Sequence, residues 1–275
     1  MTYKTIMVHL NPGHSNSGLL QTAGDLAERF GAAVIGIVAR QPTPMIYPPG
    51  YQIGDFFQID RDEIDTELRE AESEFRSALQ TRVAVLEWRS SLILEAVADF
   101  VAREARSADL IVTYACSLSE LGATKARGAG NLVMQAGRPV FIVSKGAHRL
   151  TAEHIVIAWK DTREARRAAS DALPFLKMAK HVSIVEVAAD ADRSDATMRI
   201  TNVADWLKRH GVASDVFVVP SKGEDAAVLS AFVQKQKADL LVAGAYGHSR
   251  LREWALGGVT RDLLTQASFS TLLSH

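Results

Sequence analysis

Apolar residues fall along the chain in short continuous runs separated by amphipathic stretches. The runs Thr5–Leu10, Ala32–Ala39, Val83–Trp88, Asp109–Ala115 and Pro139–Val143 have strand length. Continuous apolarity, in place of strict alternation, predicts strands covered on both faces, as in a parallel sheet. Between them, Leu19–Phe30 carries apolar residues at helical spacing and stops at Gly31. Ile64–Leu79 alternates acids and bases around Leu68, Ala71, Phe75 and Leu79, which predicts a solvated helix with one apolar stripe. Ile93, Ala96, Val97, Phe100 and Val101 form a further helical stripe. Gln41–Ile59 holds four prolines, two glycines and several aromatics, and reads as a long loop or lid.

The same pattern then begins again. Strands are expected at His154–Trp159, His181–Val187, Val216–Val219, Asp239–Ala243 and Phe269–Leu273. Helices are expected at Arg163–Ala179, with a kink at Pro174, at Ala196–Arg209 and at Asp225–Lys235. Ala108-Asp109-Leu110-Ile111-Val112 lies over Ala238-Asp239-Leu240-Leu241-Val242 at an offset of 130 residues. The same offset carries Ser144 onto Ser274 without a gap. This is an internal repeat. Two units are expected, 1–147 and 150–275, with the first carrying the insertion at about 41–59. The fold class is α/β: two tandem open, mostly parallel sheets with helices on both faces.

The second unit carries the chain's candidate chemistry. Its strand Asp239–Ala243 opens into Gly244, Gly247 and Gly257, spaced G-x2-G-x9-G, ahead of a segment that reads as a helix start. Glycines let backbone approach a ligand and reach positive φ, and free N–H groups at a helix start face an anion. Packing alone is the competing explanation for such a spacing. In the first unit Gly244 falls opposite Tyr114, Gly247 opposite Ser117 and Gly257 opposite Arg127; only Gly258 keeps a glycine partner, Gly128. Tyr114 is therefore expected to fill space a ligand would need, and the first unit to lack the phosphate signature.

The stretch resembles the nucleotide-binding signature of the universal stress protein family, G-x2-G-x9-G-(S/T), and the whole chain resembles a tandem member of it. The resemblance implies an adenine nucleotide, ATP or AMP, in the second unit, with Mg²⁺ accompanying ATP. It implies that Gly244, Gly247, Gly257, Gly258, Val259 and Thr260 hold the phosphate and ribose side, and that Ala158 and Val187 frame the adenine. His248, Ser249 and Arg250 would add polar contacts to phosphates, or stand in an exposed loop. The Ser or Thr after the third glycine is Gly258 here, and the acid at the end of the first strand is replaced by Lys160 within Ala158-Trp159-Lys160-Asp161. An ammonium cannot accept from ribose hydroxyls. Either Asp161 substitutes, or Lys160 approaches a phosphate, or affinity is low. The resemblance also implies pairing of the two units through their last strands, an internal pseudo-dimer open to further homodimerisation.

Composition narrows the classes. The net charge of −1 gives no general field for nucleic acid. No apolar run approaches membrane-span length, and the first residues lack an apolar signal core, so a cytoplasmic protein is expected. The one cysteine, Cys116, excludes an intrachain disulfide. His9 and His14 have no companions at metal-ligand spacing. Arg163, Arg166 and Arg167 read as a solvated face. No nucleophile with a positioned base, catalytic elbow or Walker loop is visible. The leading expectation is a stress-response binding and signalling module. The alternatives are a stress protein acting through a protein partner or another ligand, with 41–59 as its contact, and a slow ATP hydrolase.

Overall fold

The computed structural model describes residues 2–42, 53–114, 127–144, 151–221, 223, 225–245 and 269–275. Among these residues the first half contains β1 (Thr5–His9), α1 (Ser17–Phe30), β2 (Ala33–Arg40), α2 (Ile53–Leu79), β3 (Leu86–Leu92), α3 (Val97–Glu104), β4 (Leu110–Tyr114), α4 (Arg127–Gln135) and β5 (Val140–Val143). The second contains β6 (His154–Trp159), α5 (Arg163–Asp171), α6 (Leu173–Leu176), β7 (His181–Ala188), α7 (Arg193–Arg209), β8 (Asp215–Pro220), α8 (Asp225–Lys235), β9 (Leu240–Gly244) and β10 (Ser270–Ser274).

All ten strands join in one sheet, ordered β3-β2-β1-β4-β5-β10-β9-β6-β7-β8. Every pairing is parallel except β5 with β10, which is antiparallel and sets Ile142 against Thr271, Phe141 against Leu272 and Val140 against Leu273. The fold is thus an α/β doubly wound sheet whose halves meet through their last strands, as expected. Buried edges at β5 and β10 leave neither strand open to further pairing.

Local chemistry explains the repeat. The Asp109 carboxylate accepts from the backbone N–H groups of Lys4 and Thr5 at 2.8 and 3.0 Å. Asp239 accepts from Glu153 and His154 N–H at 3.0 and 3.1 Å, and from the Thr151 hydroxyl. The repeated Ala-Asp pair therefore fastens the start of one strand to the next in each half. Across the seam, Tyr3, Phe30, Phe141 and Phe175 pack together, with ring centroids 5.1 to 5.7 Å apart. The Tyr3 hydroxyl donates to the Asp171 carbonyl. Arg29 Nη1 donates to the Thr151 carbonyl at 2.9 Å.

Three local expectations change. Helix α2 begins at Ile53, so the last residues assigned to the loop 41–59 are helical. Strand β3 runs Leu86–Leu92, shifted towards the C-terminus from Val83–Trp88, because Val83 caps the preceding helix by donating to Leu79. Helix α4 was not anticipated. The break at Pro174 is present: α5 ends at Asp171 and α6 restarts at Leu173, with the proline in its first turn.

Candidate functional site

Ligands of open α/β sheets bind beyond the carboxyl ends of the strands, where the strand order reverses. In the second half that place is the tip of β6 beside β9. Ala158 pairs with Val185 on one side and Ala243 on the other. Successive strand residues point to opposite faces. Ala158 packs with Val185, Ala243 and Leu229 on the α8 side, whereas Trp159 packs with Ala165, Ala169 and Val203 on the face covered by α5 and α7. Val187, half-buried and two residues beyond Val185, shares the face of Ala158. So Ala158 and Val187 share one face of the sheet, and the Trp159 side chain lies on the other.

Lys160 is exposed, and its carbonyl accepts from Thr162 N–H at 2.6 Å. The Thr162 hydroxyl caps α5 by accepting from Ala165 N–H at 3.3 Å. Asp161 is exposed and paired with Arg166 at 2.7 Å. Of the other arginines of this helix, Arg167 pairs with Asp171 at 3.1 Å and Arg163 with Glu164. Glu164 is buried in the first turn of α5. Burial pushes its carboxyl up, but hydrogen bonds from Arg163, its own backbone and Thr162 outweigh this and hold it below the ordinary value.

Gly244 has a structural duty of its own. A Cβ there would lie 2.5 Å from Ala165 N and 2.6 Å from the Glu164 carbonyl carbon. Strand tip and helix start touch without room for a side chain. Gly244 is not among the glycines with positive φ, in contrast to the left-handed geometry expected of the loop. At this first glycine of the signature, close packing is what the geometry requires. Gly247, His248, Ser249, Arg250, Gly257, Gly258, Val259 and Thr260 lie outside the described residues, as does Cys116.

The first half carries different side chains at matching positions. His9 pairs with Ile37 and Thr113, the register that Ala158 makes with Val185 and Ala243. His9 is buried, and its Nδ1 lies 3.2 Å from the Thr113 hydroxyl. Burial lowers its pKa to about 4, so the ring is neutral at pH 7. Tyr114, matching Gly244, turns to α1, where its hydroxyl accepts from Leu19 N–H at 2.8 Å. Tyr114 was expected to fill the ligand's place, but its side chain packs on the α1 face, opposite His9, because successive strand residues alternate faces; the sequence missed His9, whose equivalence to Ala158 follows from counting back along the aligned strands. His14 lies apart, with its Nδ1 3.1 Å from the Pro12 carbonyl. Among the described residues no three His, Cys, Asp or Glu side chains cluster as metal ligands. No described helix is long and apolar enough to cross a membrane.

The mostly parallel sheet with helices on both faces is a doubly wound α/β architecture. Residues 151–275 match the universal stress protein family. No curated protein matches the chain. Among solved structures, a universal stress protein from Archaeoglobus fulgidus DSM 4304 aligns at TM-score 0.74 and 12% identity, covering 98% of this chain and 97% of that one. A functionally unknown protein from Pseudomonas aeruginosa PAO1 aligns at TM-score 0.61 and 14% identity, over 99% and 92% of the two chains. A candidate universal stress protein from Pseudomonas aeruginosa UCBPP-PA14 aligns at TM-score 0.62 and 16% identity, over 99% and 93%. At these identities the likeness is one of fold.

Proposed function

We propose that this chain is a tandem of two universal stress protein units, divided near residues 147–150, and that it binds one adenine nucleotide, ATP or AMP, in its second unit. The observation that carries the proposal is the asymmetry of the two strand tips. Ala158 and Val187 leave a small apolar edge of the kind a planar base needs, while the first unit fills the matching place with the buried ring of His9. Gly247 and Gly257 of the glycine spacing have no glycine counterpart in the first unit and support the same assignment. Gly247, Gly257 and Gly258, with Val259 and Thr260, would meet the phosphates and ribose; His248, Ser249 and Arg250 would add donors. Mg²⁺ would accompany ATP through its phosphates. The protein acts by its bound state, as a binding and signalling module in the cytoplasm.

Lys160 at the place of the ribose acid favours a second reading, a stress protein acting through a protein partner, without a nucleotide. Asp161 is already tied to Arg166, so it is a poor substitute acceptor. Mass spectrometry of the small molecules released when the purified protein is denatured separates the two. Release of ATP or AMP at close to one per chain is expected. A protein that releases none and takes up none from millimolar ATP would overturn the nucleotide assignment.

A further inference from the structure

A cavity of about 490 Å³ opens between α5 and α7, on the face of the sheet opposite Ala158. That volume is in the range of a small-molecule site. Arg199, Asn202, Val203 and Trp206 line it from α7, at the spacing of one helical face. Arg166 and Ala169 line it from α5, one turn apart.

Charged and apolar groups are segregated along this cavity. Both helices start at the carboxyl ends of the strands they follow. Arg166 and Arg199 therefore lie towards that end, and Trp206 lies further down. Seven residues separate Arg199 from Trp206, about 10 Å along the axis of α7. Ala169 and Val203 are the apolar groups between them, and Trp206 is half-buried, so part of its indole is open.

The two arginines keep donors unused. Arg166 bonds Asp161 through Nη1 alone, at 2.7 Å, so its Nε–Nη2 edge has no partner among the described residues. Such an edge binds a carboxylate through two parallel N–H bonds. The pair with Asp161 is a weak competitor, since both side chains are 58% exposed. Arg199 donates to Glu186 from Nε at 3.1 Å and Nη2 at 2.6 Å, and to Asp192 from Nη2 at 3.0 Å. Its Nη1 has no partner among the described residues. Glu186 is buried, so Arg199 is held where it stands. The exposed Asn202 amide adds a neutral donor one turn below.

From this we infer a second ligand site, separate from the strand-tip site proposed for the nucleotide, for an aromatic monocarboxylate of one or two fused rings. The carboxylate accepts from the Arg166 Nε–Nη2 edge and from Arg199 Nη1. The rings lie along Ala169 and Val203 and reach Trp206. A carboxylate accepts at two oxygens, whereas a neutral amide of the same shape accepts at one.

The probe is 2-naphthoate, titrated calorimetrically into the full-length protein. The chain has four tryptophans, and Trp206→Phe assigns the Trp206 indole signal in a ¹H–¹⁵N spectrum. Saturable binding that moves this signal is expected. The uncharged isostere 2-naphthamide should bind about tenfold more weakly. Arg166→Gln removes a guanidinium from an exposed position that the fold tolerates. It should weaken 2-naphthoate by about threefold to tenfold and leave 2-naphthamide unchanged. No saturable binding at millimolar 2-naphthoate, or an unmoved Trp206 signal, would overturn the site. Equal binding of the amide, or of 2-naphthoate to Arg166→Gln, would overturn the anionic ligand class. Loss of 2-naphthoate binding in saturating ATP would overturn its separation from the nucleotide site.

Discussion

The phenolic oxygen of Tyr114 lies 2.8 Å from the backbone nitrogen of Leu19 and accepts its hydrogen bond. At the matching strand tip Gly244 has no side chain, and the start of α5 closes directly onto it. One half satisfies a first-turn N–H with a side chain reaching from the sheet; the other lets the helix descend. Tyr114→Phe removes the acceptor and keeps the ring. It should cost about 1–2 kcal/mol of stability, the penalty for stranding a largely buried donor. A urea midpoint identical to wild type would show that water replaces the hydroxyl. Tyr114→Phe should not create a second nucleotide site, because His9 still fills the first half's strand tip.

Gly244→Ala meets backbone, which cannot swing aside like a side chain. The new methyl must push α5 off the sheet, and overpacking of this kind costs about 1–3 kcal/mol. Chemical denaturation measures it. An unchanged midpoint would mean that the contact between α5 and β9 is slack.

His9 makes stability depend on pH in a defined window. Its folded value is lowered to about 4 from the ordinary 6.5 by burial. Below 6.5 the unfolded chain takes up a proton that the folded protein refuses, so stability falls as pH drops from about 6.5 towards 4. The full effect is on the order of 3 kcal/mol at the low end. His9→Asn keeps a polar partner for Thr113 and removes the titration. Denaturation at several pH values should therefore give a flatter profile for the variant across this window. Parallel profiles would show that His9 takes up its proton in the fold as readily as in the unfolded chain.

Lys160→Asp tests the largest departure from the stress-protein signature. Lys160 stands directly after β6 with no slack in the strand, which favours the ribose position. A carboxylate there can accept from ribose hydroxyls, so ATP and adenosine should both bind more tightly to the variant. Weaker ATP binding with adenosine unchanged would place the side chain at the phosphates.

Much of this fold was legible because parallel strands buried on both faces must be apolar throughout, which makes runs such as Ile155–Ile157 conspicuous. The repeat was legible through Asp109 and Asp239, whose carboxylates do the same work in both halves. What the pattern hid has physical causes. Ile53–Ile59 reads as loop because four prolines and Gly50 precede it and Gly54 lies within it, yet it joins the amphipathic helix that follows. Helix α4 has glycines at positions 128 and 130, which mask its periodicity. Gly244 belonged to a ligand signature in the sequence, and only the approach of Ala165 assigns it to packing. The facing of Trp159 away from Ala158 follows from strand alternation, but what covers it depends on how α5 and α7 pack, which no local pattern carries.

Isothermal titration of the full-length protein with ATP is the most direct test of the asymmetry between the two strand tips. A site in the second half alone gives a stoichiometry near one, lost in Gly247→Val while circular dichroism stays unchanged, because a side chain there would occupy the phosphate's place. A stoichiometry of two, or ATP affinity unaltered in Gly247→Val, would contradict it.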